Sequence, residues 1–591
     1  MDITNALFAV RMIYDGLIKG KPDFAQLPPF PSKTSLLLPE KESFFKRARP
    51  ARVGVDGEKL LSFARTLSES REANVHAVTV VSHGKCVFEA AKTGYSTEMP
   101  HAAFSLSKTL TGLAVGMLID DKKLSLDAPV LSFFPELKGK RVGAKFKLLT
   151  VSHLLSMSVD VPFNEIGVVT SDAYVKSFFE SALRGTPGDG FSYNSMCSYI
   201  LAVIVTRVAE CSLSDFLKER LFAPMGIRNY FWEKSSEGVE KGGWGLYLST
   251  KSMAKLGALL LNGGVWEGRR LVSESFVSQM TRRHTAVPDA IGEFDYGYHL
   301  WRHKKNESFL LNGMLGQNVW VHPGKKLVVA ITSGDNCLFQ DSIALVSAMR
   351  ELSDMTGRDT KAARKERRRI ARHFGEDASL IPPYVSEENR DAKERLLPLL
   401  EGRFVLPENN GGILPLITRL IQNSPTKGIG AITVTPWAKR GELLFSFTEG
   451  SVTYHITAGN CRFLYGVLRI HGEKYRVAAA YAFGLDINRE PYLRLELRFP
   501  ALASTRRFLF RRKENGFSVS LTEQPGYEFV TRVLKNAAAD KAEFFEALTR
   551  SKSPAELLLR RVKGVFSPTL PMTRAKRKGK SKAASGGEKN A

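Results

Sequence analysis

Positions 76–89 and 318–333 of this 591-residue chain carry the same pattern, and its recurrence across a long gap constrains the fold more than any other feature. The first stretch, HAVTVVSHGKCVFE, holds two β-branched runs around Ser82-His83-Gly84-Lys85 and reads as a β-hairpin. The second, NVWVHPGKKLVVAITS, repeats the pattern with Pro323-Gly324 at the turn. Between them the periodicity is mostly helical, including 106–118, 199–209 and 253–261, and a helix over roughly 338–355 follows. Strands at both ends with helices between predict an α/β domain over about residues 51–360, in which one antiparallel sheet is assembled from the two ends and a helical region packs beside it.

The chain is too long for one core, so further units are expected. Residues 1–50, with PPFPSK and KRARP, read as an extended lead-in. Residues 361–394 open on KAARKERRRIAR, a composition that suits a solvated basic linker helix. Residues 395–525 change character: GELLFSFTEG, KYRVAAAYAFG and PYLRLELRF alternate apolar with polar, and Asn515-Gly516 is a hairpin turn signal. This predicts a separate all-β module, a small barrel or sandwich. A helical segment over 526–570 and a disordered basic tail over 571–591 complete the expected organisation, so a chain stopped before Met572 should fold and react normally.

The net charge of +25 raises the question of an anionic partner. Its densest blocks are the 361–372 helix and the Gly, Ser and Ala-rich tail. With no zinc-finger spacing, no aromatic RNA-binding signature and no phosphate loop, nucleic acid is not the expected partner; a small-molecule or peptide substrate is. Five scattered cysteines without CxxC spacing imply neither a disulfide framework nor a zinc site. Arg11 interrupts the N-terminal apolar stretch, and no uncharged apolar run has the length of a membrane span, so the expected compartment is the cytoplasm.

Chemistry points to Phe104-Ser105-Leu106-Ser107-Lys108, which opens a helix continuing TLTGLAVGMLID, apolar on nearly every face and therefore buried. Residues three apart lie on one helix face, so the Lys108 amine can reach the Ser105 hydroxyl. Burial and the positive helix N-terminus both disfavour the ammonium, which would let Lys108 share a proton with a nucleophile. Ser-x-x-Lys also occurs at Ser43, Ser82, Ser252 and Ser424, but only Ser105 heads a long apolar helix. An N-cap serine with a first-turn lysine is the alternative reading. His299 and His303 read as packing or surface residues rather than metal ligands, since no third ligand is near in sequence.

The stretch FSLSKTLTGLAVGMLIDDKKLSLDAPVLSFFPE resembles the nucleophile segment of class C β-lactamases, DD-peptidases and related esterases. LLTVSHLLSMS, PGDGFSYNSMCSYILAVIVTRVAECSLSDFLKERLFAPMGI, GGWGLYLSTKSMAKLGALLLNGGVWEGRRLVSES and NGMLGQNVWVHPGKKLVVAITS continue the likeness in that family's order. The resemblance implies a β-lactamase/transpeptidase-like domain followed by a small all-β domain. It also implies Ser105 as the acylated nucleophile, Lys108 as its hydrogen-bonded partner and Tyr193 as general base, with nearby positive charge needed to bring a phenol into that role. Asn194 and Ser195, after Tyr193, fall in the implied substrate-binding set. Met314-Leu315-Gly316 aligns with the third motif, where the family has Lys or His, a small residue and Gly. Gly316 fits and the Gln317 backbone N–H can complete an oxyanion hole, but the cationic first residue is absent. The implied function is that of a serine hydrolase forming an acyl-enzyme on an ester or amide carbonyl rather than on β-lactams, with no cofactor. A non-catalytic penicillin-binding-type sensor or binding protein of the same fold is the alternative.

Overall fold

The computed structural model describes residues 35–575, apart from 141, 164–170, 354–356, 377, 423, 438–440, 515, 530, 533–562 and 566. Most of the lead-in, most of the expected 526–570 helical segment and the tail beyond Ala575 therefore lie outside the described residues.

The two sequence hairpins are Val75–Ser82 with Lys85–Ala91 and Gln317–His322 with Leu327–Ser333. They meet in one seven-stranded antiparallel sheet, because Val75–Ser82 pairs with Leu327–Ser333, Val78 opposite Ile331. Phe309–Gly313, Trp301–His303 and Phe294–Tyr296 extend that sheet beyond Gln317–His322. Every residue of Val75–Ser82 and Leu327–Ser333 is buried, as for strands covered on both faces. The helix Thr250–Leu261 lies directly on the sheet: a Cβ added to Gly257 would sit 2.6 Å from Val328 and 2.7 Å from Val319. The expected helices appear as Ser107–Asp120, Ser195–Ala209 and Ile343–Leu352, and the first two pack on each other. Among the described residues no single helix is long and apolar enough to cross a membrane, although the bent pair Ser195–Ala209 and Leu213–Phe222 passes that test together.

The second unit is a ten-stranded barrel that closes through a short parallel pairing of the end strand Val452–Asn460 with Glu473–Leu485, next to the other end, Gly459 opposite Ala480 and Asn460 opposite Tyr481. Alternation drives it: in Glu442–Glu449 the inward positions are Leu443, Phe445 and Phe447, which join Phe404, Phe508, Phe510 and Leu495 in one apolar interior.

Three expectations change. The basic helix Lys361–Arg372 is no free linker: Ala363, Arg367 and Ile370 are buried, and Arg367 donates to Gly57 O at 2.6 Å and to Asp359 at 2.7 Å. The helix Glu387–Leu400 belongs with the barrel, packing on its strands Glu473–Leu485 and Pro491–Arg498. Finally, Thr569–Arg574 is a strand between Gly402–Val405 and Gly516–Gln524, so the segment from 571 begins inside the barrel rather than in a tail. Pro571 hides it from a sequence reading, since a proline without an N–H argues against a central strand.

Candidate active site

Phe104 holds a left-handed backbone, φ +49°, and turns the chain into the helix that carries Ser105 at its entrance. The strand Phe309–Gly313 runs so close behind that a Cβ on Gly313 would stand 2.2 Å from Ala103 O. Glycine at 313 is thus what lets the Met314–Gln317 turn lie beside Ser105.

Lys108 is 1% exposed, and its Nζ donates to Ser105 Oγ at 2.9 Å, Ser195 Oγ at 2.8 Å and Gly243 O at 2.8 Å. A carbonyl can only accept, whereas the two hydroxyls can donate or accept. The same cradle therefore accommodates an ammonium, or an amine whose lone pair takes the Ser105 proton. The carbonyl partner was not visible in the sequence, because any residue type can supply one. What the sequence does show is Gly242-Gly243: added Cβ atoms would meet Ser198 O at 2.5 Å and Ser195 O at 2.6 Å, so this pair must be glycine to pack on the Ser195–Ala209 helix.

Tyr193 presents its ring to Lys108, with Nζ 4.8 Å from the centroid. Trp301 stacks on that ring at 5.7 Å, and Phe339 and Tyr296 meet it edge-on at 5.8 and 6.1 Å. Tyr296 and Trp301 stand on the two outermost strands of the sheet and Phe339 on the segment between Leu327–Ser333 and Ile343–Leu352, and none was singled out by sequence. Behind them, buried His299 bonds Ser198 Oγ at 2.9 Å and Leu155 O at 3.0 Å, and burial together with the Lys108 charge lowers its pKa to about 3. It is a neutral packing residue. Among the described residues no group of His, Cys, Asp and Glu is arranged to hold a metal ion.

Ser195 and Lys108 are brought together with Ser105, while Asn194 has a different employment. Its Oδ1 caps the helix by accepting from Met196 N at 2.8 Å, and its Nδ2 donates to Val161 O at 3.0 Å and Phe163 O at 2.9 Å. With both amide hydrogens committed to backbone, its side chain anchors a loop instead of offering hydrogens to a substrate.

The third-motif turn is held from every side. Leu315 and Gly316 take φ +63° and +84°, and a Cβ on Gly316 would lie 2.0 Å from Ser333 Oγ. Leu315 O accepts from Ser333 Oγ at 2.8 Å, Gln317 Nε2 at 3.0 Å and Asp335 N at 3.1 Å. The Gln317 carboxamide also donates to Ser333 O at 2.7 Å, so its side chain is structural and only its backbone could face a substrate. Met314 packs into an apolar cluster with Leu315, Ile417 and Phe529, the last two from the C-terminal part of the chain. A thioether there fills a domain junction.

Asp335, just beyond the turn, is buried, accepts from Asn74 N at 2.7 Å and has its pKa raised to about 7, chiefly by desolvation. A carboxyl whose folded pKa lies above its unfolded value contributes stability that is complete below the unfolded pKa and lost as pH rises through the folded one. From 3.8 to about 7 that loss is on the order of 4 kcal/mol. Asp335→Asn should therefore gain stability relative to the parent protein between pH 4 and pH 8, as read by denaturant unfolding at both. Lys92, its own pKa lowered to about 7 by burial, interacts electrostatically with Asp335, so the difference between the two proteins reports the Asp335 ionisation together with its effect on Lys92. A pH-independent difference would mean that Asp335 carries no ionisation cost.

A family model described as Beta-lactamase matches residues 62–340. The 6-aminohexanoate-dimer hydrolase of Paenarthrobacter ureafaciens is 26% identical over 289 residues, covering 44% of this chain and 72% of the relative. Esterase EstB of Burkholderia gladioli is 24% identical over 143 residues, which is 21% of this chain and 36% of the esterase. Among solved structures, a penicillin-binding protein homolog from Caulobacter crescentus superposes with a TM-score of 0.42 at 17% identity, covering 53% of this chain and all of that one (100%).

Proposed function

Residues 62–340 form a domain of the serine β-lactamase and penicillin-binding-protein-like family, and we propose that the protein is a serine hydrolase acting through an acyl-enzyme on an ester or amide carbonyl. The observation that carries this reading is the Lys108 amine held 2.9 Å from Ser105 Oγ by Ser195 and Gly243 in a buried cradle.

In the proposed reaction Ser105 Oγ attacks the substrate carbonyl carbon while its proton passes to the Lys108 and Tyr193 pair. The carbonyl oxygen becomes an oxyanion facing the backbone N–H groups of Ser105 and Gln317. Collapse expels the alkoxide or amine, which takes the proton back, and water repeats the sequence on the acyl-enzyme to free the acid. Ser195 holds Lys108 in register throughout. Relatives named as a 6-aminohexanoate-dimer hydrolase and as an esterase support the hydrolase reading. The direct test is a fluorophosphonate adduct mapped to Ser105 in a protein that turns over esters; an adduct elsewhere, or an adduct without turnover, would overturn the reading.

Substrate preference follows from Met314. A charge-assisted hydrogen bond to a substrate carboxylate is worth about 1.5–3 kcal/mol, roughly ten- to two-hundredfold in rate, and a thioether supplies none of it. Uncharged esters escape that loss. Short-chain p-nitrophenyl esters should be hydrolysed, and penicillins and cephalosporins poorly. Met314→Lys should raise the β-lactam rate relative to the ester rate, at a cost in melting temperature because the ammonium enters an apolar cluster. Efficient penicillin hydrolysis without esterase activity in the unmodified protein would reverse this assignment.

A further inference from the structure

Phe104, immediately before the nucleophile, and Leu315, in the third-motif turn, hold left-handed backbone without glycine's freedom. Such conformations persist only where the surroundings over-determine them. For both side chains the surroundings come in large part from the C-terminal domain. One apolar cluster joins buried Leu315 to Leu416, Ile417, Ala503 and Phe529, with Phe104 and Met314 packed against it. Phe104 and Ile417 also line a common cavity of only about 20 Å³, so the junction is nearly filled. Alongside, Ala102 N donates to Ala501 O at 2.8 Å and ties the approach to Ser105 to the same domain.

A polar chain reaches the other side of the site. Gln422, which follows the short helix Leu416–Ile421, donates to Glu233 Oε1 and to Tyr247 Oη, both at 3.1 Å, and accepts from Tyr475 Oη at 2.7 Å. Glu233 in turn pairs with Lys241 at 3.1 Å, and its backbone exchanges hydrogen bonds with Lys241 and Gly245, both at 2.9 Å. Gly242 and Gly243 lie between those two residues, and their carbonyls accept from Thr111 and Lys108, each at 2.8 Å. The helix start is itself anchored inside the barrel, since Leu416 N donates to Glu523, which is paired with buried Arg506 at 2.7 Å.

We propose that Ile417 and Gln422 of the C-terminal domain are positioning residues of the active site, Ile417 by fixing Phe104 and Leu315 and Gln422 by fixing, through Glu233, the Gly243 carbonyl that holds Lys108. The proposal rests on the serine-hydrolase reading above. It makes the barrel a working part of the catalytic unit, because misplacing a catalytic group by about 1 Å can cost on the order of a hundredfold in rate.

The test uses the full chain with Ile417→Ala, Ile417→Val and Gln422→Leu. Steady-state constants for a short-chain p-nitrophenyl ester are normalised to the sites titrated by a fluorophosphonate, so that partial unfolding does not register as lost catalysis. Ile417→Ala and Gln422→Leu should each lower kcat per titrated site by roughly tenfold to a hundredfold with KM changed about threefold or less, and Ile417→Val should restore most of the loss. If Ile417→Ala does not fold, Gln422→Leu is judged by the same criterion. Variants that match the parent kcat per titrated site would overturn the positioning role while leaving the hydrolase reading intact. A parent protein with no adduct at Ser105 would overturn the hydrolase reading and this inference with it.

Discussion

Ser105→Ala should remove turnover, by roughly 10⁴-fold or more in kcat, and leave the melting temperature unchanged. The mutation deletes one oxygen from a helix entrance, and Lys108 keeps Ser195 and Gly243 as partners. Two companion variants separate the roles that surround it. Lys108→Ala strips a buried carbonyl and a buried hydroxyl of their donor, so it should cost stability, about 1–3 kcal/mol for an orphaned group, as well as at least roughly a hundredfold in rate. Tyr193→Phe keeps the ring between Trp301 and Phe339 and loses only the phenol, so it should cost a similar factor in rate with little change in melting. Rates from all three, set beside their unfolding curves, check the scheme. Retained activity in Ser105→Ala would place the nucleophile elsewhere.

The contact between Ser105 and Lys108 was legible because its signal is local and one-dimensional: a serine and a lysine three apart at the head of a helix with twelve of its fourteen residues buried. The sheet was legible for a related reason, as each hairpin announces itself by alternation and a turn, and two hairpins at the ends of a helical stretch have few ways to hide their apolar faces. Partners supplied by backbone or by distant segments were not legible. The Gly243 carbonyl has no residue type to betray it, and Asn194 looks like a ligand-binding amide until its hydrogens are seen on Val161 and Phe163. Met314 looked like a lost cation. In the structure it is also a junction residue, because a turn that aligns with a catalytic motif is packed from the other side by a second domain. The basic run 361–372 misled in the same way: eight of its twelve residues are charged and suggest water, yet Arg367 is 5% exposed and neutralised by Asp359.

Stopping the chain after Pro568 should lower the melting temperature on the order of 10 °C, whereas stopping after Ala575 should not. The strand Thr569–Arg574 sits in mid-barrel, with Met572 opposite Phe517 on one side and Arg574 opposite Phe404 on the other. Its inward side chains, Leu570 at 9% and Met572 at 2% exposure, are each worth about 1.5–3 kcal/mol on burial. Together they give roughly 3–6 kcal/mol, and a domain of this size loses about 2–4 °C per kcal/mol. Removing the strand also leaves Gly402–Val405 and Gly516–Gln524 with unpaired edges facing one another across a gap, which invites association between molecules. The lysine-rich remainder after Ala575 has no comparable apolar content by composition, so its loss should pass unnoticed. Activity provides the second readout. Gly516–Gln524 carries Glu523, which anchors the helix bearing Ile417, so a barrel opened beside that strand should lose turnover at temperatures where the catalytic domain is still folded. Equal melting of the two truncated proteins and the full chain would show that Thr569–Arg574 contributes nothing to closing the barrel. Unequal melting with equal activity per titrated site would separate the barrel's own stability from its hold on Phe104 and Leu315.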